Sequence, residues 1–460
     1  MESASVPGAQ PRVAVWDPQG ETAALLGDLE AGFERVGPDA TLSGFEVLVI
    51  GKQALTVDGP GPDLGAVRGG LKVLVFEQTA EALERRLGFR VAEYGLRNVF
   101  PRVPDHPVLA GLQTVHLRDW RGQATLSSPR LEYELNPKFN GAPTVEWCGL
   151  PVTRAWRCGC QGNVASVLIE KPACGDFLPL VDGGFSLQYS PLLEYREGQG
   201  MVLFCQMDVS GRTERDPAAA RLAANLIEYL CAWKPAPRRE ALYVGEAAGR
   251  RHLERAGFAL RSYVGGPLPR GQVLMVGPGG GQMLSAHADA LTAFLEGGGP
   301  LVGVAMTERD ADVLRTFGIT LRPGEHISAC FDPPGAASPF AGIGPADVHC
   351  RDPRVIPLVA GGAQVLGDGV LGVGTNASVV VCQLAPWQFD YRGNFGLKRT
   401  FRRTSFLVAR LLGNLGVEGT TPLAGRFSSP VAKGEAGRWL EGLYLDQPEE
   451  WDDPYRFFRW

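Results

Sequence analysis

Two short apolar segments decide the fold of this chain. Residues 71–79 read Leu-Lys-Val-Leu-Val-Phe-Glu-Gln-Thr, and residues 300–307 read Pro-Leu-Val-Gly-Val-Ala-Met-Thr. Each is a valine-rich run that ends at a polar turn, a pattern typical of a strand buried on both faces of a parallel sheet. The sequence therefore predicts one such sheet in each half of the chain.

The same order of segments surrounds both runs. An apolar segment that ends in glycine precedes each run (46–51 and 272–277), and one that ends in Cys-Gln follows it (202–206 and 379–383). Strands that alternate with helices favour parallel α/β sheets, and the recurrence indicates a degenerate internal duplication. Apolar spacing predicts the helices at residues 21–36, 79–87, 218–233, 250–256 and 284–295.

The two units differ in length. From that glycine to that cysteine the chain covers 154 residues in the first unit (51 to 205) and 105 in the second (277 to 382). We expect a first domain at 1–235, with an insertion of short strands and loops at about 105–182. A second domain at 236–420 and an aromatic, acidic tail at 421–460 complete the predicted organisation.

Composition excludes several classes of protein. The chain has 460 residues, with 45 Lys and Arg against 50 Asp and Glu, and no dense basic block, so no nucleic-acid partner is expected. No apolar run approaches the roughly 20 residues that span a bilayer, so no membrane association is expected. Residues 1–10 lack the charged-then-apolar order of a secretory signal. We expect a cytoplasmic protein.

The nine cysteines do not form a metal-ligand pattern. Cys158 and Cys160 are the one closely spaced pair, and no second pair or histidine partner completes a zinc site. Cys205 and Cys382 lie inside apolar strands, which is typical of buried free thiols in a reducing compartment. We expect neither a metal nor another cofactor.

These segments resemble the class I glutamine amidotransferase-like fold, a flavodoxin-like doubly wound sheet. The resemblance implies a catalytic cysteine at the turn after the central strand and a histidine after a later strand. Here Glu77 and Gln206 occupy those positions in the first unit, and Ala305 and Gln383 occupy them in the second. Neither alanine nor glutamine supplies a nucleophile or a base. The expected fold is two tandem flavodoxin-like domains without the Cys-His-Glu triad.

The chain also resembles the trimerisation domain of β-galactosidases and C-terminal regions of large bacterial glycoside hydrolases, whose tails carry motifs similar to Trp-Asp-Asp-Pro-Tyr-Arg-Phe-Phe at 451–458. The resemblance implies a non-catalytic assembly or carbohydrate-related accessory protein. Its implied partners are a second copy of the chain or a glycoside hydrolase catalytic subunit, with carbohydrate as a further possibility.

A catalytic alternative rests on two carboxylates. Glu77 and Asp208 both follow strands of the first unit, where open α/β sheets place their ligands, and a carboxylate pair performs glycosidase chemistry. The competing interpretation is that Glu77 caps the next helix or pairs with Arg97 or Arg212. Both interpretations stay open at this point.

A glycine-rich loop at 277–281 also has two interpretations. It lies between a predicted strand and a predicted helix, where backbone N–H groups can hold a phosphate. The loop lacks the Gly-Lys-Ser/Thr ending and the Gly-x-Gly-x-x-Gly spacing of known phosphate loops. We therefore favour a turn without a ligand.

The second unit contains an aromatic and basic segment after its Cys-Gln pair. Arginines at a helix start oppose the helix dipole unless acidic groups neutralise them, so a partner or the chain's own acidic tail is expected to supply those groups. The candidate ligand- or partner-binding residues of this segment are Trp387, Asp390, Tyr391, Arg399 and Arg402.

The tail combines five acidic residues within 446–453 with a cluster of aromatic residues. Trp451, Tyr455 and Trp460 are its candidate binding residues. So many aromatic side chains would promote aggregation unless they were covered. We expect residues 451–460 to pack on the body of the protein or on an oligomer neighbour.

Overall fold

A computed structural model describes residues 11–124, 126, 134–135, 143–147, 150–153, 161–375, 378–431 and 439–449. Its first half contains two α-helices, α1 (Glu21–Asp28) and α2 (Pro217–Ala232), a 3₁₀ helix (Leu64–Gly69) and a π-helical segment (Ala82–Leu87). The strands of this half are β1 (Val13–Trp16), β2 (Glu34–Arg35), β3 (Val47–Ile50), β4 (Lys72–Val75), β5 (Val91–Leu96), β6 (Phe100–Pro101), β7 (Trp120–Gln123), β8 (Glu134–Leu135), β9 (Pro143–Trp147), β10 (Leu150–Thr153), β11 (Gln161–Gly162), β12 (Ala165–Glu170), β13 (Asp176–Gly183), β14 (Tyr189–Glu197) and β15 (Gly200–Cys205).

The first half forms a ten-stranded sheet in the order β2-β1-β3-β4-β15-β14-β12-β5, with β13 and β6 at its side. The strands from β2 to β15 in this order run parallel, and β14 pairs antiparallel to β15. Two small antiparallel groups, β8 to β10 and β7 with β11, lie outside this sheet. The parallel part has the flavodoxin-like order in which the second strand lies at one edge.

The second half repeats this order. Its helices are α3 (Ala247–Arg255), α4 (Gly280–Ser285), α5 (Ala288–Glu296), α6 (Ala311–Thr316), α7 (Lys398–Asn414) and α8 (Leu423–Arg426). Its strands are β16 (Glu240–Val244), β17 (Leu260–Ser262), β18 (Gln272–Val276), β19 (Leu301–Val304), β20 (Thr320–His326), β21 (Arg354–Gly361), β22 (Ala363–Leu366), β23 (Leu371–Gly374) and β24 (Val379–Cys382).

The sheet of the second half runs β17-β16-β18-β19-β24-β23-β22, and β20 and β21 form a separate two-stranded ribbon. The five strands β17 to β24 in this order are parallel, and β23 is antiparallel to β24. The order and direction of the five parallel strands and of the antiparallel strand beside them match those of the first sheet, as a duplicated unit requires.

Both faces of each sheet are covered. In β3, Val47 and Val49 belong to the same core as Leu226 of α2, whereas Leu48 packs with Leu83 in a core on the opposite face. Successive side chains of a strand point to opposite faces, so a strand that is apolar throughout needs helices on both sides. The predicted α/β class, with two doubly wound flavodoxin-like sheets, is confirmed.

The helices differ in detail from the spacing-based prediction. The helix predicted at 21–36 ends at Asp28, because Glu30 adopts a φ of 55° and residues 34–35 form the edge strand β2. The helix predicted at 284–295 is divided into α4 and α5. Within the described part of the chain, no helix is both long enough and apolar enough to cross a membrane.

Part of the predicted insertion belongs to the first sheet. Strand β12 and all of β13 except its last residue lie within 105–182, and both strands pair with β14, which lies beside β15. Strands β13 and β14 are neighbours in sequence and form an antiparallel hairpin, whereas β12 also pairs with the distant β5. The predicted boundaries at 235 and 420 remain a prediction.

A buried arginine joins the two halves. The Arg102 guanidinium forms ion pairs with Asp182 of β13 (2.5 Å) and with Asp347 of the second half, and Nε donates to the carbonyl of Gly342 (3.1 Å). Asp182 also pairs with Lys171 at 2.7 Å. Because all these charges are removed from water, each must keep its partner.

Residues 439–449, called here the docked segment, also connect the halves. Its Asp446 pairs with Arg90 of the first half (2.8 Å) and with Arg402 of α7 (2.5 Å). The Tyr444 hydroxyl donates to the carbonyl of Glu170 at 2.7 Å, and the Arg90 guanidinium lies 4.2 Å from the ring centre of Tyr444. The carbonyl of Leu443 accepts from the N–H of Ala173.

We predict that Asp446→Ala lowers the melting temperature by several degrees. Asp446 is 1% exposed, and its removal leaves Arg90 and Arg402 with one carboxylate fewer; breaking a buried ion pair costs about 3–5 kcal/mol. Differential scanning calorimetry measures the shift. Asp312→Ala is the control, because Asp312 forms an exposed pair whose loss costs about 0–1 kcal/mol. Equal melting temperatures for the two variants would contradict this role of the docked segment.

Candidate functional site

Glu77 lies at the turn after β4, in the place of the catalytic cysteine of the resembled fold. Its side chain is fully buried. One carboxylate oxygen accepts from the backbone N–H of Ser210 (2.7 Å), and the other accepts from the Ser210 hydroxyl (2.8 Å). Glu77 therefore connects the end of β4 to the loop after β15.

The structure does not support the predicted partners of Glu77. Arg97 pairs with Asp119 at 2.7 Å, and Arg212 donates to backbone carbonyls that include those of Trp120 and Asn163. The next helix is capped by another residue, because the Thr79 hydroxyl accepts from the N–H of Ala82. The expectation that Glu77 caps this helix or pairs with either arginine is therefore wrong.

Asp208 is fully buried near Glu77. Its Oδ2 accepts from the Ser166 hydroxyl at 2.7 Å, and the positive charges of Arg212 and Lys52 favour its ionised form. The two carboxylates are close enough for the charge of Asp208 to act on Glu77. Both carboxylates are removed from solvent, which the sequence could not show.

Burial dominates the electrostatics of this pair. It raises the pKa of Glu77 to about 7, with a further rise from Asp208 that the hydrogen bonds from Ser210 partly oppose. Burial likewise raises the pKa of Asp208 to about 6, although Ser166, Arg212 and Lys52 lower it. Folding therefore moves the pKa values of both carboxyl groups toward neutral pH.

Gln206 occupies the histidine position and binds the turn itself. Its side-chain Oε1 accepts from the backbone N–H of Gln78 (2.8 Å), and its Nε2 donates to the carbonyl of Gln78 (2.9 Å). In the second unit, Gln383 makes the same two contacts with Met306, at 2.8 and 3.4 Å. The equivalence confirms that the two turns correspond, and we call each pair of contacts the amide bridge.

The turn of the second unit keeps the backbone conformation of a nucleophile position. Ala305 adopts a φ of 46°, a left-handed conformation that costs energy for any residue with a Cβ. Such a turn exposes a nucleophilic side chain in hydrolases. Here the side chain is a methyl group, so the backbone geometry is present without the chemistry.

The glycine-rich loop at 277–281 already has an internal partner. The buried carboxylate of Asp310 accepts from the N–H groups of Gly279 (3.1 Å) and Gly281 (2.9 Å), and it also accepts from the Thr307 hydroxyl (2.7 Å). A phosphate at this loop would have to displace a buried negative charge. The geometry thus favours the turn without a ligand.

The three candidates after β24 pack within the second half. The indole N–H of Trp387 donates to Glu246 (2.5 Å), and the ring of Tyr391 lies 4.5 Å from that of Phe401. Asp390 is exposed and accepts from the N–H of Gly393, which forms a local turn. These contacts hold the loop on α3 and α7 rather than form a cavity.

The two candidate arginines of α7 reach toward the first half. The Arg399 guanidinium lies 4.4 Å from the ring centre of Phe185, and Arg402 pairs with Asp446 and, at 3.5 Å, with Glu170. The acidic group expected to neutralise Arg402 therefore comes from the same chain. Trp451, Tyr455 and Trp460 lie outside the described residues, as does the pair Cys158 and Cys160.

The sequence did not reveal a cavity at the carboxyl edge of the first sheet, called here the crevice. It has a volume of about 560 Å³, and neither Glu77 nor Asp208 lines it. The polar residues that follow β1, β3 and β4 were the available signal, because ligands bind where the strand order reverses. It is lined by Gln19, Gln53, Leu55, Thr56, Val57, Asp58, Thr79, Glu81, Ala82, Arg85 and Val431.

Neither the crevice nor the turns contain a recognisable metal site. Among the residues that the structure describes, no group of three or more His, Cys, Asp or Glu side chains is arranged to hold a metal ion.

Comparisons with known proteins give little further guidance. No family model matches the sequence, and no curated protein matches it. Among solved structures, an exo-β-1,4-mannosidase from Opitutaceae bacterium strain TAV5 aligns at 16% identity with a TM-score of 0.26. The alignment covers 50% of this chain and 37% of the mannosidase chain, so the chain spans well under half of that protein. A superposition this limited supports no functional conclusion.

We predict that Glu77→Gln removes part of the pH dependence of stability. An acid whose pKa is raised by folding stabilises the native state below its unfolded value, 4.5 for Glu77, and loses that stabilisation as pH rises through about 7. At about 1.4 kcal/mol per pKa unit, the loss reaches roughly 3 kcal/mol. Urea unfolding between pH 4.5 and 8 should therefore give a flatter profile for Glu77→Gln than for the wild type.

The matched control is Glu34→Gln, because Glu34 is exposed in its ion pair with Arg12. Its pH profile should follow that of the wild type. Parallel profiles for all three proteins would show that Glu77 is not a buried, titrating group.

Proposed function

We propose that this chain is a non-catalytic assembly or carbohydrate-related accessory protein of a glycoside hydrolase system in the cytoplasm. The observation that carries the proposal is the amide bridge, which is present in both units. Gln206 and Gln383 use their side chains to hold the turns at which an amidotransferase would place its cysteine. A residue fixed in this way contributes to the fold and has no proton to exchange near neutral pH.

The nucleophile positions agree with this interpretation. Amide hydrolysis by the resembled enzymes needs a thiolate that an adjacent base has activated. Ala305 offers no nucleophile, and the Glu77 carboxylate is buried against Ser210. Both units therefore lack the groups for amidotransferase chemistry.

The hydrolase alternative with Glu77 and Asp208 stays a prediction that the geometry disfavours. Glycosidase carboxylates flank a sugar ring, with about 5–10 Å between them for the ring or a water molecule. Here both side chains are fully buried and bonded to serines of the same half. A substrate would have to open the sheet edge to reach them.

The connection between the halves supports an assembly role. Arg102 and the docked segment hold the two units through buried ion pairs, which suits a rigid scaffold. The ribbon of β20 and β21 adds exposed apolar side chains, since Val355 is 72% exposed and Ile327, which follows β20, is 41% exposed. A second copy of the chain or a glycoside hydrolase catalytic subunit is the proposed partner.

We predict that the purified chain neither releases ammonia from glutamine nor hydrolyses nitrophenyl β-galactoside, β-mannoside or β-glucoside above the buffer rate. The physical reason is that no described triad position holds a nucleophile open to solvent. Coupled ammonia and chromogenic assays measure the rates. Glycoside hydrolysis that disappears in both Glu77→Gln and Asp208→Asn, while their melting temperatures stay near that of the wild type, would instead establish the catalytic alternative.

A further inference from the structure

We propose that the crevice of the first unit binds a neutral saccharide. The inference rests on the proposed function and deepens it, because it names the ligand class and the residues that hold it. The crevice is separate from Glu77 and Gln206, which are fully buried and do not line it.

Its location is the first argument. Gln19 follows β1, Gln53 follows β3 and Thr79 follows β4, so three adjacent parallel strands open into one cavity. The chain moves from β1 to β2 on one side and then to β3 on the other, and open α/β sheets bind ligands at such a reversal. The volume, about 560 Å³, lies within the usual range of small-molecule sites, roughly 300–1,000 Å³.

The hydrogen-bonding groups of the crevice are the second argument. Within the described residues, the side-chain amides of Gln19 and Gln53 have no hydrogen-bond partner. The hydroxyls of Thr56 and Thr79 accept from the N–H groups of Gly59 (3.0 Å) and Ala82 (3.2 Å), which leaves their own protons free to be donated. Amides and hydroxyls that can both donate and accept are suited to the hydroxyl groups of a sugar.

The backbone fixes one of these groups in place. The N–H of Gln53 donates to the carbonyl of Glu77 at 2.8 Å, and Gln53 adopts a φ of 52°. A left-handed residue that the surrounding structure holds is a recurrent feature of ligand sites. The backbone of Glu77 thus helps to hold Gln53, a residue that lines the crevice, in place.

The charge of the crevice is the third argument. Arg85 is paired with Glu81 at 2.6 Å, and the other described lining residues include no arginine or lysine. A phosphate or carboxylate ligand would therefore find no unpaired positive charge among them, whereas a neutral polyol needs none. The apolar side chains of Leu55 and Val57 also line the crevice and can pack against the C–H face of the sugar.

Saturation-transfer NMR with the full chain tests the inference, with galactose, mannose and glucose as neutral probes and with glutamine and inorganic phosphate as comparison ligands. At least one sugar should bind with millimolar affinity, and glutamine and phosphate should not compete. Gln53→Ala and Gln19→Ala should each weaken binding about five- to tenfold, the usual effect of one lost hydrogen bond. Gln364→Ala, an exposed glutamine of β22, is the matched control and should bind as the wild type does.

Gln19 is exposed, so its alanine variant tests the crevice without a risk to folding. Absence of binding by all three sugars, or binding that neither crevice variant weakens, would overturn the inference and leave the proposed function intact. Displacement of the sugar by phosphate or glutamine would also overturn it. Hydrolysis of a bound sugar in the separate activity assays would overturn the proposed function instead.

Discussion

The amide bridge is the interaction on which the rest of the structure depends. A glutamine side chain carries an acceptor and two donors on one planar group, so it can bond the N–H and the carbonyl of a single backbone residue. A histidine ring has its two nitrogens on opposite sides and cannot do both. Gln206 and Gln383 therefore tie the fifth parallel strand of each sheet to the turn after the fourth. In each unit these two strands meet at a pair of buried hydrogen bonds.

The groups near the amide bridge differ between the two units. In the first unit, the buried Glu77 carboxylate accepts hydrogen bonds from Ser210, and Thr79, two residues later, lines the crevice. In the second unit, the carboxylate of Asp310 occupies the glycine-loop N–H groups, so that turn has no free donors there. The two units thus share a fold but differ at the ends of their strands. The first has a polar cavity there, whereas in the second the carboxylate of Asp310 already accepts from the N–H groups of the glycine-rich loop.

Local sequence patterns predicted the fold, whereas contacts between distant segments determine the surroundings of the candidate site residues. The valine-rich strands and their glycine and Cys-Gln endings were predictable, because each depends on residues adjacent in sequence. The burial of Glu77 and Asp208 could not be predicted in this way, because their partners Ser210 and Ser166 come from distant parts of the chain. The pairing of β12 with β5 and the docking of Asp446 between two arginines have the same cause. The sequence indicated the crevice only through the polar residues that follow β1, β3 and β4.

The most direct test of the account is the unfolding free energy of Gln206→Leu and Gln383→Leu, measured by urea denaturation. Leucine is similar in size but leaves a buried backbone N–H and carbonyl without partners, so each variant should lose about 1–3 kcal/mol. Gln364→Leu, on the exposed edge strand, should change stability little. If both bridge variants unfold at the same urea concentration as this control, the glutamines do not hold the turns, and the central claim that the amide bridge stabilises each sheet is wrong.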